Sequence, residues 1–134
     1  MVHYNEYFLK NLINKEEYCD KLREVISKKK EPWGLKDPRI SELLPIYLDI
    51  FDNPKIIWCQ RNSTDTLISM EKAYDFDVLK AGDFIEKRDK LLNEHLNDVE
   101  HLDIYYEERA SAVDKICKFL NLEKTKEAVD FVRI

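Results

Sequence analysis

The sequence has little of the residues that mark several protein classes. It contains two glycines and four prolines in 134 residues, whereas hydrophobic residues make up 44% and charged residues 37%. These proportions exclude collagen-like and low-complexity chains, and they are not those of a disordered chain. A chain of this length buries about 68% of its unfolded surface, so we expect a single domain over residues 1–134.

Cysteine is also scarce. Cys19, Cys59 and Cys117 are widely spaced and form no CxxC pair, which excludes a disulfide framework and a paired-thiol zinc site. The three histidines lack ligand spacing, so no metal site is predicted. No stretch approaches the ~20 apolar residues of a membrane span, and the N-terminal sequence lacks the regions of a secretory signal. These absences predict a cytoplasmic protein without membrane contact.

The balance of charge is acidic. Asp and Glu number 27 against 22 Lys and Arg, for a net charge of −5. An acidic chain is poorly suited to nucleic acid or to anionic lipid. An anionic ligand would therefore have to meet a local concentration of positive groups.

Helical periodicity alternates with short extended runs, which predicts an α/β fold with a small parallel sheet flanked by helices. Residues 1–31 are expected to form an N-terminal helical segment. Strands are predicted over 33–39, 55–60 and 102–106, the second of them buried on both faces around Cys59. Further helices are predicted over 40–51, from 63 or 64 to about 70, and over 83–97, 111–120 and 125–132, with a connection over 74–80.

The candidate site follows the second strand. Ligands of open parallel sheets bind at the carboxyl ends of strands. Arg61 offers a planar fork of donors suited to phosphate oxygens. The helix after it presents backbone N–H groups and a positive dipole end, and Ser69 lies within that helix. This arrangement predicts a phosphate site, and the alternative is a surface arginine with an unrelated helix serine.

Charged residues also follow the other two predicted strands. Lys36 and Arg39 flank Asp37, and an internal ion pair that fixes the turn is as good an interpretation as ligand contact. After the third strand, Glu107 and Glu108 could supply a general base, although pairing of this strand end with Arg109 is the preferred interpretation. Tyr105 and Tyr106 are expected to be core and sheet-face residues.

The segment RNSTDTLIS, from Arg61 to Ser69, resembles the R-N-P-x-D-x-x-x-S motif of sulfotransferases. Those enzymes use 3′-phosphoadenosine 5′-phosphosulfate (PAPS). Ser63 departs from the usual proline, but serine can also start a helix. Other segments resemble elements of the same family, in the expected order across residues 33–122: WGLKDPR at 33–39, IYYEE at 104–108 and ICKFLNL at 116–122.

The resemblance implies a P-loop-type sulfotransferase fold and transfer of a sulfuryl group from PAPS to a hydroxyl or amine acceptor. It implies that Arg61 and Ser69 hold the 3′-phosphate of PAPS or of its product, adenosine 3′,5′-bisphosphate. It also implies that Lys36 and Arg39 line the floor of the cleft, near the nucleotide or the acceptor.

One element of the family pattern is missing from the sequence. The P-K-[ST]-G-[ST]-[ST] loop that cradles the 5′-phosphosulfate is absent, since the glycines are Gly34 and Gly82. The chain therefore resembles the C-terminal half of a sulfotransferase, and we expect weak or no turnover by it alone. The alternatives are a non-catalytic remnant that keeps the nucleotide pocket, and an interaction module whose incomplete sheet pairs with another chain. In the latter case a homodimer or a complementary partner chain would cover the open edge.

Overall fold

The computed structural model of the chain describes residues 15–36, 40–74 and 77–131. They form a mixed α/β fold with a two-stranded parallel sheet flanked by helices, which confirms the predicted fold class at this level. A 3₁₀ segment over Tyr106–Ser111, kinked at Glu108, follows the second strand. In chain order the other elements are α1 Lys15–Ser27, α2 Ile40–Ile50, β1 Ile56–Gln60, α3 Ser63–Tyr74, α4 Val78–Leu96, β2 His101–Tyr105, α5 Ala112–Leu120 and α6 Lys126–Phe131.

The chain divides into two compact units. The first unit comprises residues 1–54 and 83–95, and the second comprises residues 55–82 and 96–134. Thus α1 and α2 belong to the first unit, whereas the sheet, α3, α5 and α6 belong to the second. Helix α4 contributes residues to both.

The core of the first unit forms where α1 packs on α2. Leu43, Ile46 and Tyr47 of α2 are buried together with Cys19 of α1. The hydroxyls of Tyr18 and Tyr47 lie 3.1 Å apart, so this buried seam includes a hydrogen bond between the two helices. The apolar spacing over residues 40–51 predicts Leu43 and Tyr47 on the buried face of this helix, but it does not predict Ile46 there.

The second unit is organised around the sheet. Ile56 to Gln60 of β1 pair in parallel register with His101 to Tyr105 of β2. The Lys55 ammonium, just before β1, donates to the Phe119 carbonyl at 2.9 Å and lies 5.3 Å from the centre of that ring. The start of β1 is thereby held to the end of α5. Runs rich in β-branched and aromatic residues predicted both strands to within one residue.

The expected burial of β1 on both faces is wrong. Cys59 is exposed, and the other four residues of β1 are half-buried. Two strands make up the sheet in the described part of the chain, so each strand has one edge without a strand neighbour.

The predicted first strand does not form in the part that is described. Residues 33–36 have no regular secondary structure, and 37–39 lie outside the described residues. A proline after Asp37 disfavours helix at that position, but an extended backbone becomes a strand only when it has a neighbour to pair with. The expectation of three strands is therefore wrong for the described residues.

The predicted connection over 74–80 is helical at Tyr74 and over residues 78–80, and residues 75–76 lie outside the described residues. Helix α3 continues to Tyr74, and α4 begins at Val78, after Asp77. The Asp77 carboxylate accepts a hydrogen bond from the Leu79 N–H at 3.0 Å and so caps α4. An aspartate ahead of the helix was the missed signal. The other helices lie near their predicted positions, although residues 1–14 of the N-terminal segment are outside the described residues.

The segment Ser111-Ala112-Val113-Asp114 is typical of a capping box at the start of α5. Ser111 does not form the capping box expected at the start of α5, because its hydroxyl donates to the Glu108 carbonyl at 3.0 Å. Among the described residues, no helix combines the length and apolar character that crossing a bilayer requires.

Candidate functional site

The candidate site lies where β1 and β2 end side by side. Arg61 and Asn62 follow β1, and Tyr106 and Glu107 follow β2. The Asn62 N–H donates to a carboxylate oxygen of Glu107 at 2.7 Å. The guanidinium carbon of Arg61 lies 4.5 Å from the centre of the Tyr106 ring. Because the strands are parallel, residues 45 positions apart in sequence meet at one edge of the sheet.

Arg61 presents an accessible guanidinium. The residue is exposed, and its ring contact with Tyr106 is a cation–π interaction. Within the described residues, no carboxylate oxygen lies within 4.0 Å of its nitrogens. The N–H donors of this side chain are therefore available to an anionic ligand.

Asn62 caps the N-terminus of α3, which begins at Ser63. Its side-chain oxygen accepts hydrogen bonds from the N–H groups of Thr64, at 2.9 Å, and Asp65, at 3.3 Å. Its carbonyl accepts from the Thr66 N–H and hydroxyl, both at 2.9 Å. The capping side chain thus occupies two of the N–H groups that the sequence pattern predicts to be available to a ligand. An anion at this end of α3 would meet the positive end of the helix dipole. It could bind the Thr64 and Asp65 N–H groups only by displacing the Asn62 side chain from them.

Ser69 is the seventh residue of α3 and is exposed. Seven positions are nearly two helical turns, so Ser69 lies on the same face of α3 as Asn62, about 10 Å further along the axis. In the part of the chain that is described, no hydrogen bond joins the Ser69 hydroxyl to Arg61. A ligand common to both residues would have to extend along this face.

Glu107 is held as a carboxylate. The Asn62 N–H, the Glu107 backbone N–H and the charges of Arg61 and Arg109 all lower its pKa, the first of these the most. A carboxylate stabilised in this way is a weak general base at neutral pH. The neighbouring Glu108 instead pairs with Lys115, at 3.2 Å.

Tyr106 carries two guanidinium groups. The guanidinium carbon of Arg109 lies 4.4 Å from the centre of the same ring that Arg61 contacts, and its Nη1 donates to the Tyr106 carbonyl at 3.1 Å. Tyr106 is 47% exposed, so the expectation that it is a core residue is wrong. The sequence signal for this contact was an aromatic residue with an arginine three positions later.

The remaining predicted site residues are placed differently. Lys36 is exposed in the irregular segment of the first unit, whereas Arg61 and Ser69 belong to the second unit. Arg39 lies outside the described residues. Over residues 15–36, 40–74 and 77–131, the structure shows no group of three His, Cys, Asp or Glu side chains that could hold a metal ion.

Comparison with known proteins identifies no relative of this chain. No protein-family model matches the chain, and neither the curated proteins nor the solved structures contain a match to it.

Proposed function

We propose that the chain is a sulfotransferase-like protein that binds the 3′-phosphate of PAPS and of adenosine 3′,5′-bisphosphate. Arg61 and Ser69 are the proposed phosphate ligands. The observation that carries the proposal is the exposed Arg61 guanidinium at the start of α3, which lies against the Tyr106 ring and has no carboxylate oxygen within 4.0 Å among the described residues.

The chemistry of the site suits a phosphate monoester. Such a group is close to doubly charged at neutral pH, and an arginine can bind two of its oxygens at once. Arg109 contacts the same Tyr106 ring as Arg61 and adds a second positive charge around it, although the chain as a whole carries a net charge of −5. Local positive charge of this kind is what an acidic protein needs to bind an anion.

The finer part of the proposal is a P-loop-type fold that performs sulfuryl transfer. The S–O bond of PAPS would break as an acceptor oxygen or nitrogen bonds to sulfur, the acceptor proton would go to a base, and adenosine 3′,5′-bisphosphate would leave. Lys36 and Arg39 are the proposed residues near the nucleotide or the acceptor. Since the sequence lacks the loop for the 5′-phosphosulfate, we expect little turnover of labelled PAPS by this chain alone.

Nucleotide titration tests the binding proposal. A ligand that binds only the native state raises the thermal midpoint by mass action. We expect adenosine 3′,5′-bisphosphate to raise the midpoint of the wild type but not that of Arg61→Ala, with Arg61→Lys between them. Arg23→Ala is the matched control, because Arg23 is an exposed arginine of the first unit, paired with Asp20 at 3.3 Å. A wild-type midpoint that does not change at millimolar nucleotide would contradict the proposal.

Nucleotide specificity tests which phosphate is bound. Adenosine 5′-phosphate has no 3′-phosphate, and we expect it to raise the midpoint much less than the bisphosphate does. Ser69→Ala should weaken binding of the bisphosphate more than binding of the 5′-phosphate, because the proposed contact is with the 3′ group. Equal shifts by the two nucleotides would show that the site does not recognise the 3′-phosphate.

The open sheet favours a second candidate, a non-catalytic module that pairs with another chain. Each strand has an edge without a strand neighbour in the described residues, and such an edge can pair with a strand from another chain. Sedimentation equilibrium is the test, with a dimer expected for the wild type and dissociation for Cys59→Lys, which adds a charge to exposed β1. A strictly monomeric wild type would argue against a homodimer, and a partner chain would then be sought by mixing.

A further inference from the structure

A cavity of about 460 Å³ lies between α1 and α2 in the first unit. Its most buried lining residues are Cys19 of α1 and Ile46 of α2, and the half-buried Ile50 extends this apolar floor. The Cys19 thiol is 9% exposed and has no hydrogen-bond partner among the described residues. Sites for small molecules are concave, about 300–1,000 Å³ in volume, and lined by apolar groups with a few polar ones. The volume and the floor of this cavity are therefore those of a small-molecule site.

The polar groups that line the cavity are mainly carboxylates. Glu16 and Asp20 belong to α1, and Asp49 belongs to α2, whereas Arg23 of α1 supplies a cationic group. The Arg23 guanidinium lies 3.3 Å from the Asp20 carboxylate. Within the described residues, no cationic nitrogen lies within 4.0 Å of the Glu16 or the Asp49 carboxylate. Each helix thus contributes to the same cavity one carboxylate without a cationic partner.

The end of α2 adds to the negative character of the cavity. Asp49 and Ile50 are the last two residues of α2, where the carbonyl end of a helix carries partial negative charge. Among the described residues, the last turn of this helix contains no basic residue. A carboxylate at a helix C-terminus is unfavourable, and a cation bound beside it would offset the repulsion. The charge and the apolar floor together favour a cationic ligand with an apolar body.

We propose that this cavity binds an organic dication with an apolar spacer, of which the α,ω-diaminoalkanes are the simplest members. The two ammonium groups pair with Glu16 and Asp49. The methylene groups of the spacer lie on Ile46 and Ile50. A dication balances both carboxylates, whereas an apolar monocation balances one of them. This site is separate from the proposed phosphate site, because the proposed phosphate ligands belong to the second unit.

Calorimetric titration with simple amines at constant ionic strength tests the proposal. The probes are diaminoalkanes of four to eight carbons, and each is compared with the monoamine of the same chain length. We expect the best diamine to bind about fivefold or more tightly than its monoamine, because it pairs with a second carboxylate. Ethane-1,2-diamine, which has two charges but little apolar spacer, should bind more weakly than the best diamine. Equal affinity of diamines and monoamines, or no diamine binding by the wild type, would overturn the inference.

Paired variants test which carboxylates hold the ligand. Glu16→Gln and Asp49→Asn each remove the charge of a proposed contact, and we expect each to raise the Kd of the diamine about fivefold or more. Glu17→Gln and Asp52→Asn remove neighbouring exposed carboxylates that do not line the cavity. These two control variants should change Kd less than about twofold. Diamine binding that the first pair of variants leaves unchanged would place the ligand elsewhere and overturn the inference.

A measurement on the wild type avoids any effect of substitution on folding. Nuclear Overhauser effects between the methylene protons of the diamine and the isoleucine methyl groups are recorded in the saturated complex. We expect effects to the methyl groups of Ile46 and Ile50, because both residues line the cavity. A saturated complex without these effects would show that the spacer does not lie on the apolar floor and would overturn the inference.

Discussion

The guanidinium of Arg61 lies over the ring of Tyr106, 4.5 Å from its centre. Each residue directly follows a strand, Arg61 after β1 and Tyr106 after β2. The contact therefore joins two chain segments that leave the sheet at the same edge. It also fixes the position of the guanidinium while leaving its N–H donors accessible.

A double-mutant cycle should detect this contact. Arg61→Ala and Tyr106→Ala, alone and combined, are compared by urea denaturation. We expect a coupling free energy of about 0.5–1 kcal/mol, as for other cation–π pairs at exposed sites. The control cycle combines Tyr106→Ala with Arg23→Ala, and Arg23 is a residue of the first unit. The changes that these two substitutions make in the free energy of unfolding should be additive. Additivity for the Arg61 pair as well would show that the contact does not stabilise the fold.

The cap formed by Asn62 should be measurable in the free energy of unfolding. Asn62→Ala leaves the Thr64 and Asp65 N–H groups without their acceptor, and we expect a loss of about 1 kcal/mol. Asn62→Ser keeps a capping oxygen and should lose less. Asn93→Ala is the control, because Asn93 is an exposed residue of α4 whose amide donates to the Asp89 carbonyl. An effect of Asn62→Ala no larger than that of Asn93→Ala would contradict the cap.

The stability contributed by Glu107 should depend on pH. The pKa of Glu107 is lowered from its ordinary value of 4.5, so the folded state favours the carboxylate over the protonated acid. This stabilisation is present above the unfolded-state pKa and is lost as pH falls through the lower folded-state pKa. The wild type should be more stable than Glu107→Gln at pH 7, and the difference should shrink as the pH falls below 4.5. Urea denaturation at several pH values is the measurement, and a constant difference would contradict the expectation.

The three cysteines should differ in their reactivity. Cys59 is exposed, Cys117 is half-buried and Cys19 is buried. Because thiol reagents need access to sulfur, we expect Cys59 to react first and Cys19 to react only on unfolding. The rates at which the thiols react with a chromogenic disulfide under native conditions give this order. Cys59→Ser should lose the fastest phase, and a fastest phase that persists in this variant would place the accessible thiol elsewhere.

Elements defined by local pattern could be predicted from the sequence. The apolar run ending at Gln60 identified β1, and the spacing of Leu43, Leu44 and Tyr47 identified the buried face of α2. The start of α3 at Ser63 followed from the change of pattern after the strand. In each case the residues that decide the structure lie within a few positions of one another.

Features that depend on distant residues could not be predicted in the same way. The sequence placed Glu107 at a strand end, but its contact with Asn62 depends on the register between β1 and β2. Local pattern could not determine the exposure of Cys59, because the burial of a strand side chain depends on which elements pack against the face of the sheet to which it points. An extended segment before Pro38 likewise indicated backbone conformation but not the neighbour that a strand requires.

The parallel pairing of β1 with β2 has a consequence for the order of folding. Residues 61–100 separate the two strands in sequence, so their pairing closes a long loop at a cost in chain entropy. Helices α3 and α4 lie within that loop and can begin to form from local interactions alone. The sheet is therefore expected to form late in folding, and the contact between Arg61 and Tyr106 is not expected to form before it.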